Sequence, residues 1–132
     1  MAQPAVSYFS GVNLRFGDVR ALDQVSFDLR PGETIVIFGE AGSGKTMLVK
    51  TAAGLVKPDS GRVWLFGQEM TRLRERDLYT IRSHVGILFQ EGGLFDSLSV
   101  GENVQYPLLN RQRGDTEVSP EEAEKRVREA LR

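Results

Sequence analysis

The sequence predicts an α/β fold in which a small antiparallel sheet accompanies a partial parallel core with helices. Residues 8–16 and 25–29 are short runs of alternating apolar and polar character, as half-buried strands require. Residues 34–38 form a continuous apolar and mostly β-branched run, which is typical of strands buried in parallel sheets. A glycine-rich segment and a helical pattern follow, so strand, loop and helix succeed one another.

The first two strands are expected to pair in antiparallel fashion around a turn at Gly17 and Asp18. Pro31 and Gly32 predict a second turn, and this turn leads into the apolar run at residues 34–38. That run is therefore expected to be the third strand of the fold.

A helix is expected over residues 45–53, where Gly54 ends it. A strand over residues 62–66 and a polar helix within residues 71–83 should follow. The apolar run at residues 85–89 predicts another buried strand.

Two more helices have clear start signals. Ser99 is a suitable N-cap for a helix, and Pro107 is expected to end that helix nearby. Ser119 followed by Pro120 marks the start of the last helix. That helix should carry the ion pairs Glu121–Lys125, Glu122–Arg126 and Glu124–Arg128, and an apolar stripe of Ala123, Val127, Ala130 and Leu131.

The glycine-rich segment fits the pattern G-x-x-x-x-G-K-[ST], which binds nucleoside triphosphates when a strand precedes it and a helix follows. Its backbone N–H groups and the positive end of the helix dipole attract phosphate. Lys45 should reach the β- and γ-phosphates, and the Thr46 hydroxyl should ligate Mg²⁺. An ordinary glycine-rich helix cap is the alternative. The segment is Gly39, Glu40, Ala41, Gly42, Ser43, Gly44, Lys45 and Thr46.

Composition argues against several other classes of protein. The formal net charge of −1 gives no general attraction to nucleic acid. The absence of cysteine argues against a disulfide framework and a thiolate metal site, as expected of a cytosolic protein. Short apolar runs predict no membrane span, and the N-terminal residues do not resemble a signal peptide.

Two further features extend this interpretation. Phe16 stands upstream of the loop, and residues 86–104 read Gly-Ile-Leu-Phe-Gln-Glu-Gly-Gly-Leu-Phe-Asp-Ser-Leu-Ser-Val-Gly-Glu-Asn-Val. Together with the loop, they resemble the nucleotide-binding domain of ABC transporters, which has a P-loop NTPase fold. More narrowly, residues 78–90, 93–95 and 102–108 resemble the ATPase of MCE-type, or Mla, phospholipid-trafficking transporters.

The resemblance implies roles for two residues outside the loop. Phe16 would stack on adenine, and the alternative is a core aromatic on an edge strand. Gln90 corresponds to the glutamine that contacts Mg²⁺ and the attacking water, so it would join Lys45 among the catalytic residues. Its amide offers both an acceptor and donors. A polar loop residue without such a role is the alternative.

The resemblance also implies cofactors and partners. ATP and Mg²⁺ are the expected cofactors, and a second ATPase subunit would complete a homodimer. A transmembrane permease subunit would contact the segment from Leu94 to Val100, unless those apolar residues are a cluster tucked under the domain. The protein is then expected in the cytoplasm, at the inner face of the cell membrane.

The resemblance covers nearly the whole chain, as the N-terminal part of one ATPase domain. Residues 1–70 would hold the β-subdomain strands and the P-loop, and residues 71–108 a helix, the strand before Gln90 and the coupling region. Residues 109–132 would be a linker and the start of the helical subdomain. The chain has no LSGGQ-like signature, no apolar run ending in Asp-Glu and no later histidine. The expected fold is truncated before signature and Walker B, so residues 34–38 should expose an apolar edge.

Three functions remain open at this point. The first is a transport ATPase subunit, and the second is an ATP-binding module that does not turn over. The third is a P-loop kinase or a GTPase-like enzyme, which Phe16 and the segment around Gln90 disfavour. The loop departs from the family at Glu40 and Ala41, where Pro and Ser are common, and the Glu40 charge is expected near the phosphates.

Overall fold

A computed structural model describes residues 5–89, 92–110 and 118–132 of the chain. The chain divides into two compact units, Met1–Gly86 and Ile87–Arg132. Their boundary falls inside the predicted segment 71–108. None of the helices in these described ranges has the length and apolar character that crossing a membrane requires.

The first unit is built on a four-stranded sheet of order β2-β1-β3-β4, and every neighbouring pair is antiparallel. The predicted pairing of the first two strands around Gly17 and Asp18 is confirmed, with Phe16 opposite Val19. The second strand begins earlier than predicted because pairing starts directly after the turn. The strands are β1 (Ser7–Phe16), β2 (Val19–Leu29), β3 (Ser60–Leu65) and β4 (Gln68–Glu69).

Two helices complete this unit. Helix α1 (Lys45–Ala52) matches its prediction closely, and Gly54 follows it with a φ of 70°, a conformation that suits glycine at a helix end. Helix α2 (Glu75–Arg82) starts later than predicted because Leu73 and Arg74 have extended backbone angles. A short 3₁₀ turn, Met70–Arg72, lies before it.

Helix α1 packs on one face of the sheet. The buried centre consists of apolar residues from β1, β2 and β3, and Met47 and Leu48 of α1 pack against it. Burial of a large apolar side chain contributes about 1.5–3 kcal/mol, so this contact fixes α1 to the sheet. The buried residues are Phe9, Val12, Leu14, Leu22 and Val63.

Residues 34–38 and 85–89 are not strands in the structure, so both strand predictions are wrong. A strand is held by hydrogen bonds to a neighbouring strand, and nothing in the described part of the chain forms a ladder with either segment. The described sheet therefore contains no parallel pair. Phe38 is 87% exposed and Leu88 is 98% exposed. Ile35 and Ile37 are exposed as predicted, although they do not lie on the edge of a strand.

The second unit contains helices α3 (Val100–Leu109) and α4 (Pro120–Ala130). Both predicted caps are confirmed, because the Ser99 hydroxyl accepts from the Glu102 N–H and the Ser119 hydroxyl accepts from the Glu122 N–H. Within α4 the buried residues are Ala123 and Val127.

Part of the predicted apolar stripe of α4 is wrong, because Ala130 and Leu131 are exposed. Two of the predicted ion pairs form, between Glu122 and Arg126 at 2.9 Å and between Glu124 and Arg128 at 3.3 Å. The third, Glu121–Lys125, is absent from this described helix.

The prediction that α3 ends near Pro107 is confirmed, because the helix ends two residues later, at Leu109. The proline lies inside the last turn, where it removes one backbone N–H from the helix ladder. Both the backbone N–H and the side-chain Nδ2 of Asn110 then donate to the Tyr106 carbonyl, at 3.0 and 2.9 Å. These two bonds close the helix beyond the proline.

The cap of α3 predicts a pH dependence. Hydrogen bonds from Ser99 lower the pKa of Glu102 below its ordinary value of 4.5, and the Ser99 N–H donates to the carboxylate at 2.7 Å. Because the folded-state pKa is lowered, this stabilisation is present above the unfolded-state pKa and is lost as the pH falls through the folded-state value.

Glu102→Gln keeps an acceptor at this position but removes the titration. We expect its melting temperature to fall less than that of the wild type between neutral pH and about pH 3. Glu129→Gln removes a carboxylate that forms no hydrogen bond within the described helix, and it should keep the wild-type pH dependence. An equal fall in melting temperature in Glu102→Gln and in the wild type would contradict the prediction.

Candidate functional site

The glycine-rich loop connects the unpaired residues 34–38 to α1. Gly42 and Gly44 have φ angles of 79° and 92°, which L side chains rarely adopt. The Ser43 N–H donates to the Glu40 carbonyl at 3.2 Å and so closes a turn within the loop. A Cβ added to Gly44 would collide with the Ala21 carbonyl oxygen on β2. Glycine is therefore required where the loop approaches the sheet.

The Lys45 ammonium is held by the loop itself. It donates to the carbonyl oxygens of Gly39 at 2.8 Å and Glu40 at 2.6 Å, and it lies 3.4 Å from the Ser43 hydroxyl. Ionised acceptors form stronger hydrogen bonds with an ammonium than neutral carbonyls do. An anion in the loop could therefore replace these carbonyls as the partner of Lys45.

The start of α1 presents free backbone donors. The Leu48 N–H bonds to the Gly44 carbonyl at 2.9 Å, so the N–H groups of the preceding helical residues have no intrahelical partner. No side chain from the described residues caps this helix, and its first turn carries no acidic residue. Thr46 lies in that turn with an exposed side chain. This end of α1 can attract an anion.

A cavity of about 430 Å³ lies beside the loop. Its volume is in the range of small-molecule sites. Phe16 lines it and is 52% exposed, so the alternative of a core aromatic is wrong. The lining residues are Phe16, Val19, Ala21, Gly42, Gly44, Lys45, Thr46 and Met47.

The structure thus brings Phe16 together with four of the loop residues predicted from the sequence. The other loop residues, Gly39, Glu40, Ala41 and Ser43, shape the loop without lining the cavity. Gln90, predicted to be a catalytic residue and an Mg²⁺ ligand, lies outside the described residues.

Three residues that line the cavity were not predicted from the sequence. Val19 is paired with Phe16 across the β1–β2 turn, and the short Gly17–Asp18 turn could have indicated this. Met47 follows the loop directly in the first turn of α1. No sequence signal places Ala21, because it enters the cavity through tertiary packing.

The second unit displays the segment that was expected to contact a permease. Leu94 is 72% exposed, and Phe95 and Val100 are also exposed. Within this unit these side chains are not buried, and the contact with a permease stays a prediction. An exposed group of large apolar side chains is a feature of interaction surfaces.

Three comparisons with known proteins bear on this chain. A family model described as ABC transporter matches residues 22–132. A probable sulfate/thiosulfate import ATP-binding protein, CysA of Chlorella vulgaris, is 41% identical over 97 residues, which are 74% of this chain and 39% of the relative. The methionine import ATP-binding protein MetN of Mesorhizobium japonicum is 43% identical over 94 residues, which are 71% of this chain and 26% of the relative.

A solved structure of the ATP-binding cassette MJ0796, a dimer bound to ADP and Pi, is 32% identical to this chain with a TM-score of 0.83. The match covers 95% of this chain and 55% of that chain. It confirms the fold class predicted from the sequence. The chain thus spans about two fifths or less of the length of the two curated relatives.

The contact between Gly44 and β2 predicts different costs for two glycine substitutions. Gly44→Ala should lower the free energy of unfolding by about 3 kcal/mol or more, because it combines a left-handed φ with a backbone collision. Gly42→Ala has a similar φ but open space around its Cβ, and it should cost about 1–2 kcal/mol. Urea unfolding of both variants measures these values. Equal costs would show that the approach to Ala21 does not constrain the loop.

Proposed function

Because this chain belongs to the ABC transporter ATP-binding family, we propose that it binds MgATP and acts within the energising subunit of an ABC transporter. The observation that carries the proposal is the cavity that joins the loop to an exposed aromatic ring. Its lining combines the start of α1 and Lys45, which offer donors and an ammonium for phosphate, with apolar side chains that offer a surface for a base. This combination suits a nucleotide better than a simple anion.

The loop residues supply the phosphate contacts in this proposal. Gly42 and Gly44 give the curvature that leaves the N–H groups at the start of α1 free. Lys45 would exchange the Gly39 and Glu40 carbonyls for phosphate oxygens, and Thr46 would hold Mg²⁺ through its hydroxyl. Bound ATP would supply the phosphoanhydride bond whose hydrolysis energises transport.

Phe16 would stack on the adenine ring, because its half-exposed face borders the cavity. Val19 and Met47 line the same cavity and would exclude water from the base. Phe16, Val19 and Met47, which are the lining residues assigned to the base, have no strong hydrogen-bonding group that could read its polar edge. Base recognition here depends on stacking, so GTP should also bind, although a strong preference for GTP would favour a GTPase-like enzyme.

The proposals for Gln90, for a second subunit and for a permease are based on membership of the family. We propose that Gln90 contacts Mg²⁺ and the attacking water, and that a second ATPase subunit forms a homodimer. The dimeric state of MJ0796 supports the latter. We further propose that a permease contacts the segment from Leu94 to Val100, which holds the protein at the cytoplasmic face of the membrane.

The relatives and the sequence resemblance indicate different transported substrates. The relatives described above are named for import of sulfate or thiosulfate and of methionine. A phospholipid cargo is supported only by the resemblance of residues 78–90, 93–95 and 102–108 to MCE-type ATPases. An ATP-binding module without turnover is the alternative that phosphate release tests.

Lys45 should carry most of the response to nucleotide. A ligand that binds only the folded state raises stability by about 2.7 kcal/mol at a hundred-fold excess over its dissociation constant. We expect MgATP to raise the melting temperature of the wild type and of Lys50→Ala, which removes an ammonium from the other end of α1. The MgATP-induced shift should be lost in Lys45→Ala.

The melting temperature of each variant with MgATP is compared with that of the same variant without it, because Lys45→Ala also removes contacts within the loop. A wild-type chain that does not respond to MgATP would contradict the proposed binding. Phosphate release in the same samples separates an ATPase from an ATP-binding module. A chain that MgATP stabilises but that releases no phosphate would be a binding module.

Phe16 should contribute to nucleotide affinity but not to phosphate affinity. Base stacking on an aromatic side chain is worth about 1–3 kcal/mol, so Phe16→Ala should weaken MgATP binding roughly 5- to 150-fold. Phe16→Tyr keeps the ring and should bind within a few-fold of wild type. Binding of inorganic tripolyphosphate, measured by calorimetry, should be the same in all three proteins. An unchanged MgATP affinity in Phe16→Ala would show that the base lies elsewhere.

A further inference from the structure

Asn103 uses its whole side-chain amide to hold the loop that precedes α3. The Phe95 N–H donates to Asn103 Oδ1 at 2.7 Å. Asn103 Nδ2 lies 3.1 Å from the Phe95 carbonyl, 3.1 Å from the Leu98 carbonyl and 3.0 Å from the Ser99 carbonyl. An asparagine amide has one acceptor oxygen and one NH₂ group. Both ends are therefore engaged with the backbone of this one loop.

These bonds keep apolar side chains ordered on the surface. The Phe95 ring lies 4.5 Å from the Tyr106 ring on α3, and the Leu98 N–H donates to the Phe95 carbonyl at 3.1 Å. Leu94, Phe95 and Val100 nevertheless remain exposed. We call these three residues the apolar loop surface. Ordering an exposed loop costs conformational entropy, and burial of these side chains does not offset that cost within the described residues.

We infer that Asn103 is a positioning residue for the permease contact, because its amide fixes the shape of the apolar loop surface. This inference rests on the proposed function, in which a permease contacts the segment from Leu94 to Val100. Binding to a loop that is already ordered costs less conformational entropy than binding to a loop that becomes ordered only in the complex. The side chain acts through the loop and does not itself need to touch the partner.

The chemistry requires an amide at this position. Aspartate has the same size and shape, but its second oxygen would face the three carbonyl oxygens that Nδ2 now contacts. Like partial charges would repel, and the loop would lose donors that nothing replaces. The start of α3 should survive, because the Ser99 and Glu102 capping bonds do not involve the Asn103 side chain.

The structure offers a matched control on the same helix. Asn110 Nδ2 donates to the Tyr106 carbonyl at 2.9 Å, so Asn110→Asp is the same chemical change at the other end of α3. We expect Asn103→Asp to speed hydrogen exchange of the Phe95 amide at least about tenfold, and Asn110→Asp to change it less than about twofold. Unchanged exchange in Asn103→Asp would overturn the inference.

The second measurement uses the full-length protein that contains this chain. The transmembrane subunit that copurifies with the wild type is identified and purified, and its dissociation constant is measured against each variant. We expect Asn103→Asp to weaken this binding at least about tenfold, which is 1.4 kcal/mol, and Asn110→Asp to weaken it less than about twofold. The stabilisation by MgATP should not change in either variant, whereas general unfolding would reduce it.

The two proposals fail differently. A wild-type protein that retains no transmembrane subunit would overturn the permease contact, and the role of Asn103 with it. Equal binding by the wild type and Asn103→Asp would overturn only the role of Asn103 and would leave the proposed function in place.

Discussion

The close approach of Gly44 to the Ala21 carbonyl is the constraint on which the candidate site depends. It sets the start of α1 against β2, near the turn that pairs Phe16 with Val19. A side chain at Gly44 would separate the loop from the sheet. The cavity forms because the start of α1 and an aromatic ring, which come from different elements, meet at this point. Packing of Met47 and Leu48 on the sheet core also holds α1 in this position.

Local chemistry explains what could be predicted from the sequence. The loop, the serine caps and the β1–β2 turn each depend on residues within a few positions of one another. Sequence patterns therefore place them well. The position of the Phe16 ring could not be predicted in the same way, because residues distant in sequence decide whether the ring is buried or lines a cavity.

What the sequence could not predict depends on distant partners. Residues 34–38 have the composition of a buried strand, yet a strand forms only where another strand supplies a ladder. Composition reports a preference for burial and not the presence of that neighbour. Asn103 is a similar case, because its role appears only when Phe95, eight positions earlier, folds back onto its amide. Pro107 indicated the end of α3 to within two residues, but the bonds of Asn110 that close the helix could not be read from it.

In the proposed nucleotide complex, phosphate affinity would be a difference between two sets of hydrogen bonds. The entry to the loop has exposed apolar side chains, and the Lys45 ammonium connects its Gly39 and Glu40 carbonyls to α1. An anion that attracts this ammonium must compensate for both carbonyl bonds. New bonds to the free N–H groups of α1 can do so, because those groups have no intrahelical partner to lose. The helix start would add bonds without losing any, and Lys45 would exchange two neutral acceptors for a charged one, so both would contribute to the net gain.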